Sequence, residues 1–314
     1  MTFKTSIKRT MKIISKSSYW EKFFYVAIAI IIIIIINNFL NNQTVKEGFE
    51  QSSEFIVKKG TKVYDDFYAE IYDDLVFNGV KNDFEIGSII KDTNPTSKSI
   101  ILDIGSGTGH HVKGFSEAGY KTQGIDMSPD MVEIAKKNYP TMNYEVVDAL
   151  KPMSFPPNSF THITCLYFTI YYIEKKQMFL QNCFNWLIPG GYLALHLVDK
   201  DNFDPIMPAG DPFSLVTPQK YAPKRITSTV VKFDQFDYKS NFESSPNDTR
   251  AIMNETFKYK KNGAVRQNKH TFYMPTQKKI LSMAKDIGFI LNSKIDMIKC
   301  QYTYQYIYIL QKPN

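Results

Sequence analysis

Residues 99–126, SIILDIGSGTGHHVKGFSEAGYKTQGID, constrain this chain more than any other stretch. Branched apolar residues (Ile100, Ile101, Leu102, Ile104) lead into a turn with glycine at 105, 107 and 109. A helical stretch follows, then a second short strand that ends on Asp126. This order of strand, glycine turn, helix, strand and acid holds nucleotide-like cofactors. The glycines let the backbone approach the ligand, and the acid takes the ribose hydroxyls.

Alternating units continue from there. Strands are expected at 99–104, 122–126, 143–147, 161–168 and 192–198. Helices are expected at 109–118, from Ser128-Pro129-Asp130 to Pro140, and at 174–187. Short apolar strands alternating with helices mean an α/β fold, a mostly parallel sheet with helices on both faces. The alternation stops after Asp199. Five prolines in 199–225 read as an irregular lid. Residues 227–236, 237–243, 252–259 and 265–274 alternate apolar and polar, so 199–275 reads as a lid with an antiparallel β insertion. Asn262-Gly263 suits a type I′ hairpin turn. Lys258, Lys260, Lys261, Arg266 and Lys269 read as a solvated charge run guarding that edge. A helix at 276–287 and an antiparallel pair at 289–299 and 302–311 close the chain. Upstream, Val63, Tyr64, Phe67, Tyr68, Ile71, Tyr72 and Leu75 recur at helical spacing. Their tyrosines either pack in the core or line the site as a lid.

The N-terminus is of another kind. Residues 23–36 are fourteen uninterrupted apolar residues ending in seven isoleucines. Tyr19 and Trp20 before it, and Asn37 to Leu40 after it, extend it to about a bilayer's thickness. The expected organisation is a basic tail at 1–22, a transmembrane anchor at 23–40, a linker at 41–61 and one domain at 62–314. The basic N-terminus favours an inside tail, but a nucleotide-like cofactor is made in the cytosol, so the side of the domain stays open. The formal charge is +7, of which +5 belongs to residues 1–22. The domain therefore lacks the basic bias of a nucleic-acid binder. Cys165, Cys183 and Cys300 have neither disulfide nor zinc spacing and read as small buried hydrophobes.

The turn itself narrows the cofactor. It is G-x-G-x-G, with His110 where a dinucleotide fingerprint has its third glycine. Asp103 stands two residues before the first glycine, where a carboxylate would repel a pyrophosphate and attract an ammonium or sulfonium. That suits a cationic amino-acid nucleoside such as S-adenosylmethionine (SAM).

Ile101-Leu102-Asp103-Ile104-Gly105-Ser106-Gly107-Thr108-Gly109 closely resembles the first motif of the class I SAM-dependent methyltransferases. Gly124-Ile125-Asp126-Met127-Ser128 resembles their second, Val147-Asp148-Ala149 their third, and Trp186-Leu187-Ile188-Pro189-Gly190-Gly191 their turn into strand five. The resemblance runs in order over residues 62–314 and implies a seven-stranded sheet with an antiparallel C-terminal pair. It also implies a cofactor site made of Asp103, Gly105, Ser106, Gly107, Thr108, Gly109, Asp126, Met127, Asp148, Ala149 and Tyr167. In it Asp126 meets the ribose, Met127 packs on adenine, and Asp148 with Ala149 meets the adenine amine. Tyr171, Tyr172 and His196 lie near the sheet's C-terminal edge as candidate catalytic residues. His196, inside strand five, is as readily a packed histidine. His110 and His111 begin the helix after the glycine turn, either as polar helix-start residues or as ligand contacts. The implied reaction is methyl transfer from SAM to a small-molecule or lipid-like acceptor. The alternatives are a protein acceptor at the membrane or a silent SAM-binding module. No metal site is expected.

Overall fold

The computed structural model describes residues 18–28, 55–210, 218–245 and 248–314 of the 314-residue chain. Two units separate, Met1–Glu50 and Gln51–Asn314. In the first, a helix runs over 19–28. Ser18 caps it reciprocally: Oγ accepts from Glu21 N, and Glu21 Oε2 accepts from Ser18 N at 2.7 Å. Among the described residues no helix is long and apolar enough to cross a membrane. The expected anchor at 23–40 overlaps them only at 23–28; residues 29–40, and 41–54 of the expected linker, lie outside them.

The second unit opens with strand β1 (Phe55–Lys59) and a single 3₁₀ turn at Gly60–Val63. Helices α1 (Asp66–Val76) and α2 (Gly79–Thr93) follow, each capped as local chemistry requires. Asp65 accepts from Tyr68 N, and Asn78 accepts from Lys81 N. The alternating core is β2 (Ile100–Ile104), α3 (His110–Glu117), β3 (Lys121–Asp126), α4 (Pro129–Asn138), β4 (Asn143–Val146) and β5 (Phe160–Cys165). It continues through α5 (Thr169–Tyr172), α6 (Lys176–Trp186) and β6 (Leu187–Val198). Then come β7 (Ser228–Lys232), β8 (Phe236–Ser244), β9 (Arg250–Tyr259), β10 (Val265–Tyr273), α7 (Gln277–Ile287), β11 (Ile290–Asp296) and β12 (Gln305–Gln311).

Seven strands form one sheet in the order β11-β12-β6-β5-β2-β3-β4. The four pairings among β2, β3, β4, β5 and β6 are all parallel, and β11 and β12 join antiparallel. Its main core gathers Leu102, Ile163, Leu193 and Leu195 from the strands with Phe179, Cys183 and Trp186 from α6. Cys165, Cys183 and Cys300 are all buried. The other strands form a second sheet, β1-β10-β9-β8-β7. Its inner face packs Tyr238, Phe257 and Phe236 against Phe67, Tyr68 and Leu75 of α1.

Four expectations change. Residues 55–59 are no linker: they pair in parallel with β10, from Phe55↔Val265 to Lys59↔Lys269. An edge strand with Phe55 and Val57 largely exposed leaves little apolar pattern to read. The β9–β10 turn is a hairpin but not type I′, because Gly263 (φ 70°) is left-handed and Asn262 is not. Arg266 is not part of a solvated charge run. It is 3 % exposed and grips Asp65 with two parallel bonds of 2.8 and 3.0 Å, while also donating to Val63 O. That grip ties the start of α1 to the second sheet. The fourth strand also stops early, at Cys165, because the chain turns through Tyr167 at φ 52°.

Gly124 of β3 sits where no side chain fits. An added Cβ would lie 2.8 Å from Ser106 Oγ, Tyr144 Cδ1 and Val112 Cγ2. Gly124→Ala is expected to cost about 1–3 kcal/mol by overpacking, read as a lower urea midpoint at unchanged slope. An unchanged midpoint would show that this layer has room to spare.

Candidate active site

The sheet order reverses at β2, whose neighbours are β3 on one side and β5 on the other. Helices leave these strands on opposite faces at such a point and open a crevice at the strands' C-terminal ends. The glycine turn fills its floor. Gly105 N and Ser106 N donate to Ile125 O at 2.8 and 2.9 Å, and Gly107 N donates to Asp126 Oδ2 at 3.1 Å. Gly105 and Gly107 have φ of 72° and 53°, a region that side-chain-bearing residues avoid. Asp126 also accepts from Ser128 N at 2.9 Å, so one carboxylate joins the glycine turn to the start of α4. Burial raises the Asp126 pKa, partly offset by its backbone N–H donors.

Above this floor lies a cavity of about 890 Å³. Its wall includes Asp103, Gly105, Ser106, Gly107, Thr108, Asp126, Met127, Asp148, Ala149, Tyr167 and Tyr172. Asp103 is buried and accepts from Thr164 Oγ1 at 2.6 Å; burial raises its pKa. Asp148 accepts from Leu150 N at 2.9 Å. Met127 is half exposed at the rim.

The roof comes from residues before the glycine turn. Asp73 of α1 accepts from Thr108 Oγ1 at 2.6 Å and pairs with His110 Nε2 at 2.9 Å. Phe77 stacks on His110 with ring centroids 3.7 Å apart, and Ser128 Oγ donates to Tyr64 O at 2.6 Å. One turn into α2, Lys81 and Glu85 form a buried pair at 2.6 Å, and His111 Nε2 reaches the other Glu85 oxygen at 2.9 Å. Burial would raise the Glu85 carboxyl, but the Lys81 charge and the His111 hydrogen bond outweigh it and hold the pKa at about 2. Lys81 also lies over the rings of Tyr167 and Tyr302 at 5.0 and 5.4 Å. His110 and His111 therefore both line the cavity while held by acids of the roof.

Not every expected site residue faces this space. Gly109 is absent from the wall. At φ 96° it begins α3, and an added Cβ would stand 2.5 Å from Tyr144 Oη, so its role is in packing. Ser106 lines the wall, yet its Oγ is buried against β3. Tyr171 is 1 % exposed, and its hydroxyl is engaged by the Val198 backbone, accepting from N at 2.7 Å. It is a core residue. His196 is fully buried in β6 and off the wall; burial and the nearby Lys81 charge bring its pKa down to about 3, so it stays neutral. Of the three expected catalytic side chains, only Tyr172 faces the cavity.

Tyr172 also leads to residues the strand pattern alone had not singled out. Its Oη lies 2.6 Å from His270 Nδ1 and accepts from Tyr64 Oη at 2.8 Å. His270 Nε2 lies 2.6 Å from Glu255 Oε2. A signal existed for Glu255, which takes an inward parity position between Ala251 and Phe257 in β9; in β10 the inward set is Arg266, Asn268, His270 and Phe272, so His270 does not stand out there.

Comparison with known proteins agrees with this geometry. The family described as "Methyltransferase domain" matches residues 101–191. Phosphoethanolamine N-methyltransferase of Plasmodium falciparum is 29% identical over 153 residues, covering 46% of this chain and 56% of that protein. dTDP-4-amino-2,3,4,6-tetradeoxy-D-glucose N,N-dimethyltransferase of Saccharopolyspora spinosa is 29% identical over 143 residues, covering 43% and 56%. The chain thus spans about half the length of these curated relatives. The crystal structure of a SAM-dependent methyltransferase from Clostridium acetobutylicum superposes with a TM-score of 0.59 at 16% identity, covering 79% of this chain and 98% of that one. Sheet order and glycine turn are those of that methyltransferase structure's fold, and residues 101–191, which carry the glycine turn and its acids, match the methyltransferase-domain family.

Proposed function

We propose that this chain transfers a methyl group from SAM to a small-molecule or lipid-like acceptor, and that residues 23–40 hold it at a membrane. The observation that carries the first part is the cavity: a space of about 890 Å³ floored by the glycine turn and walled by separate acids. That volume is ample for a nucleoside cofactor beside a small partner. The donor set suits a cationic amino-acid nucleoside. Asp126 stands where ribose hydroxyls would be taken, and Met127, Asp148 and Ala149 where adenine would lie. Asp103 supplies an acid toward the cationic end, and Lys81, Glu85 and His111, paired with one another, line the wall nearby. SAM brings an already activated methyl group, so the residues of this chain have to position the partners and exclude water.

The two curated relatives are named for small-molecule acceptors, which supports a small acceptor here. So does the roof, which Asp73, His110 and Tyr64 fasten over the floor and which would obstruct a protein substrate. The membrane part rests on the apolar run and its aromatic and Asn flanks; the side on which the domain lies is left open.

Calorimetry of the full chain should show SAM binding. Asp126→Ala and Gly107→Val should each weaken it at least tenfold, about 1.4 kcal/mol. The first removes the carboxylate that braces the turn, and the second forces a branched side chain into φ 53°. No binding to the native chain at millimolar SAM would reject the reading. In flotation with phosphatidylcholine vesicles, the full chain should rise with lipid. Ile33→Asp combined with Ile34→Asp should abolish this, because two charges mid-span are costly. A native chain that stays with the soluble fraction would remove the anchor.

A further inference from the structure

The inner face of the second sheet holds one carboxylate among aromatic rings. Glu255 is 1 % exposed, with Phe257 beside it in β9. A buried carboxylate is tolerated only when donors meet its lone pairs. Four side chains do so here. Tyr68 Oη and Tyr238 Oη donate to Oε1 at 3.0 and 2.7 Å, while Asn268 Nδ2 and His270 Nε2 donate to Oε2 at 3.1 and 2.6 Å. Burial pushes the Glu255 pKa up, but His270 and these hydrogen bonds outweigh it and leave it lowered, so the group is a carboxylate.

That fixes the direction of the whole chain of bonds. A carboxylate only accepts, so His270 Nε2 carries the proton and Nδ1 accepts from Tyr172 Oη. Tyr172 in turn accepts from Tyr64. The result is a directed wire from the cavity wall, through Tyr172 and His270, to a buried negative charge. Tyr64 and Tyr172 also line a small aromatic recess of about 50 Å³ behind the main cavity, with Tyr68, Tyr72, Tyr167 and Phe168.

From this arrangement we infer that the acceptor is an amine and that Tyr172 passes its surplus proton to His270, an assignment that rests on the methyl-transfer reading above. An amine reaches the site at neutral pH as an ammonium, without a lone pair. A histidine backed by a carboxylate matches the base it needs. Tyrosine faces attract such a cation, before and after methylation. A carboxylate acceptor would need no base and would be repelled by Glu255. Burial raises the Tyr172 phenol well above its ordinary pKa, with the Tyr64 hydrogen bond opposing, so Tyr172 relays a proton rather than storing charge.

The balance closes. The ammonium N–H proton goes to Tyr172 Oη as the Tyr172 proton goes to His270 Nδ1, leaving an imidazolium against the Glu255 carboxylate. The freed nitrogen lone pair forms the N–C bond while the methyl's C–S bond breaks, its electron pair remaining on sulfur. The titratable groups facing His270 are Tyr172 from α5, Glu255 from β9, and Tyr64 and Tyr68, whose rings lie 6.1 and 5.8 Å away. Tyr172 is the catalytic residue of the set; His270 and Glu255 act through it.

The test uses the full chain. With S-adenosylhomocysteine present, calorimetry should show choline binding at least tenfold tighter than its neutral isostere 3,3-dimethylbutan-1-ol. Tritiated SAM should methylate ethanolamine and not ethylene glycol. Tyr172→Phe and His270→Asn should lower kcat at pH 7 by about 100-fold with SAM affinity unchanged. The His270→Asn deficit should shrink by about tenfold per pH unit as the amine nears its own pKa. Glu255→Gln, close in shape, should show the same pH trend if His270→Asn fails to fold. Retained SAM binding with choline no tighter than the alcohol, or transfer to the glycol or to neither compound, overturns the amine assignment alone. A deficit constant with pH overturns the relay. Loss of SAM binding by the native chain overturns the methyl-transfer reading itself.

Discussion

The site depends on a few backbone hydrogen bonds where β2 ends. Gly105 N and Ser106 N both reach Ile125 O, and Gly107 N reaches Asp126. These bonds bend the chain sharply over its neighbouring strand. They can form because Gly105 and Gly107 take left-handed φ and because Gly124 leaves room for Ser106 beneath. Remove the bend and Asp103, Asp126 and the start of α3 no longer face one space. The sheet reversal at β2 makes the crevice, and the turn gives it a floor of backbone and acids.

The roof is built from a different kind of interaction. Residues 60–94 carry little regular pairing with the main sheet and are fastened by charged and aromatic side chains. Arg266 grips Asp65 from the second sheet, Asp73 takes Thr108 and His110, and Glu85 is shared by Lys81 and His111. Buried pairs of this sort gain little net free energy but fix one geometry strongly, since a missing partner leaves a charge without compensation. The second sheet therefore does more than cover the cleft. Through Arg266 it orients α1, and through Glu255 and His270 it brings polar groups to the cleft wall at Tyr172.

Much of this was legible from residue order. Strand–helix alternation named the fold class, and Asp103 with the spacing of Gly105, Gly107 and Gly109 pointed to the kind of cofactor. The antiparallel insertion and the closing pair were visible as period-2 alternation. Less legible was β1, because Phe55–Lys59 buries too little to leave a pattern. Arg266 looked like one more lysine-rich edge charge, since sequence does not reveal which partner an arginine will meet 201 residues away. Tyr171 and Tyr172 were equivalent on paper; the short helix α5 turns one to the Val198 backbone and the other to the cavity.

Residues 99–126 by themselves determined the donor side of this protein. A glycine turn after a buried strand, and acids at two set distances from it, are local consequences of backbone sterics and charge, so adjacent residues suffice to show them. What the cleft wall presents opposite that floor was decided only by tertiary structure. Tyr64, Tyr172, Glu255 and His270 are separated by as many as 108 residues along a single hydrogen bond, and they meet only because the inserted sheet folds its inward face onto α1 and α5. No local pattern encodes such a meeting, because it depends on which long-range packing excludes water best.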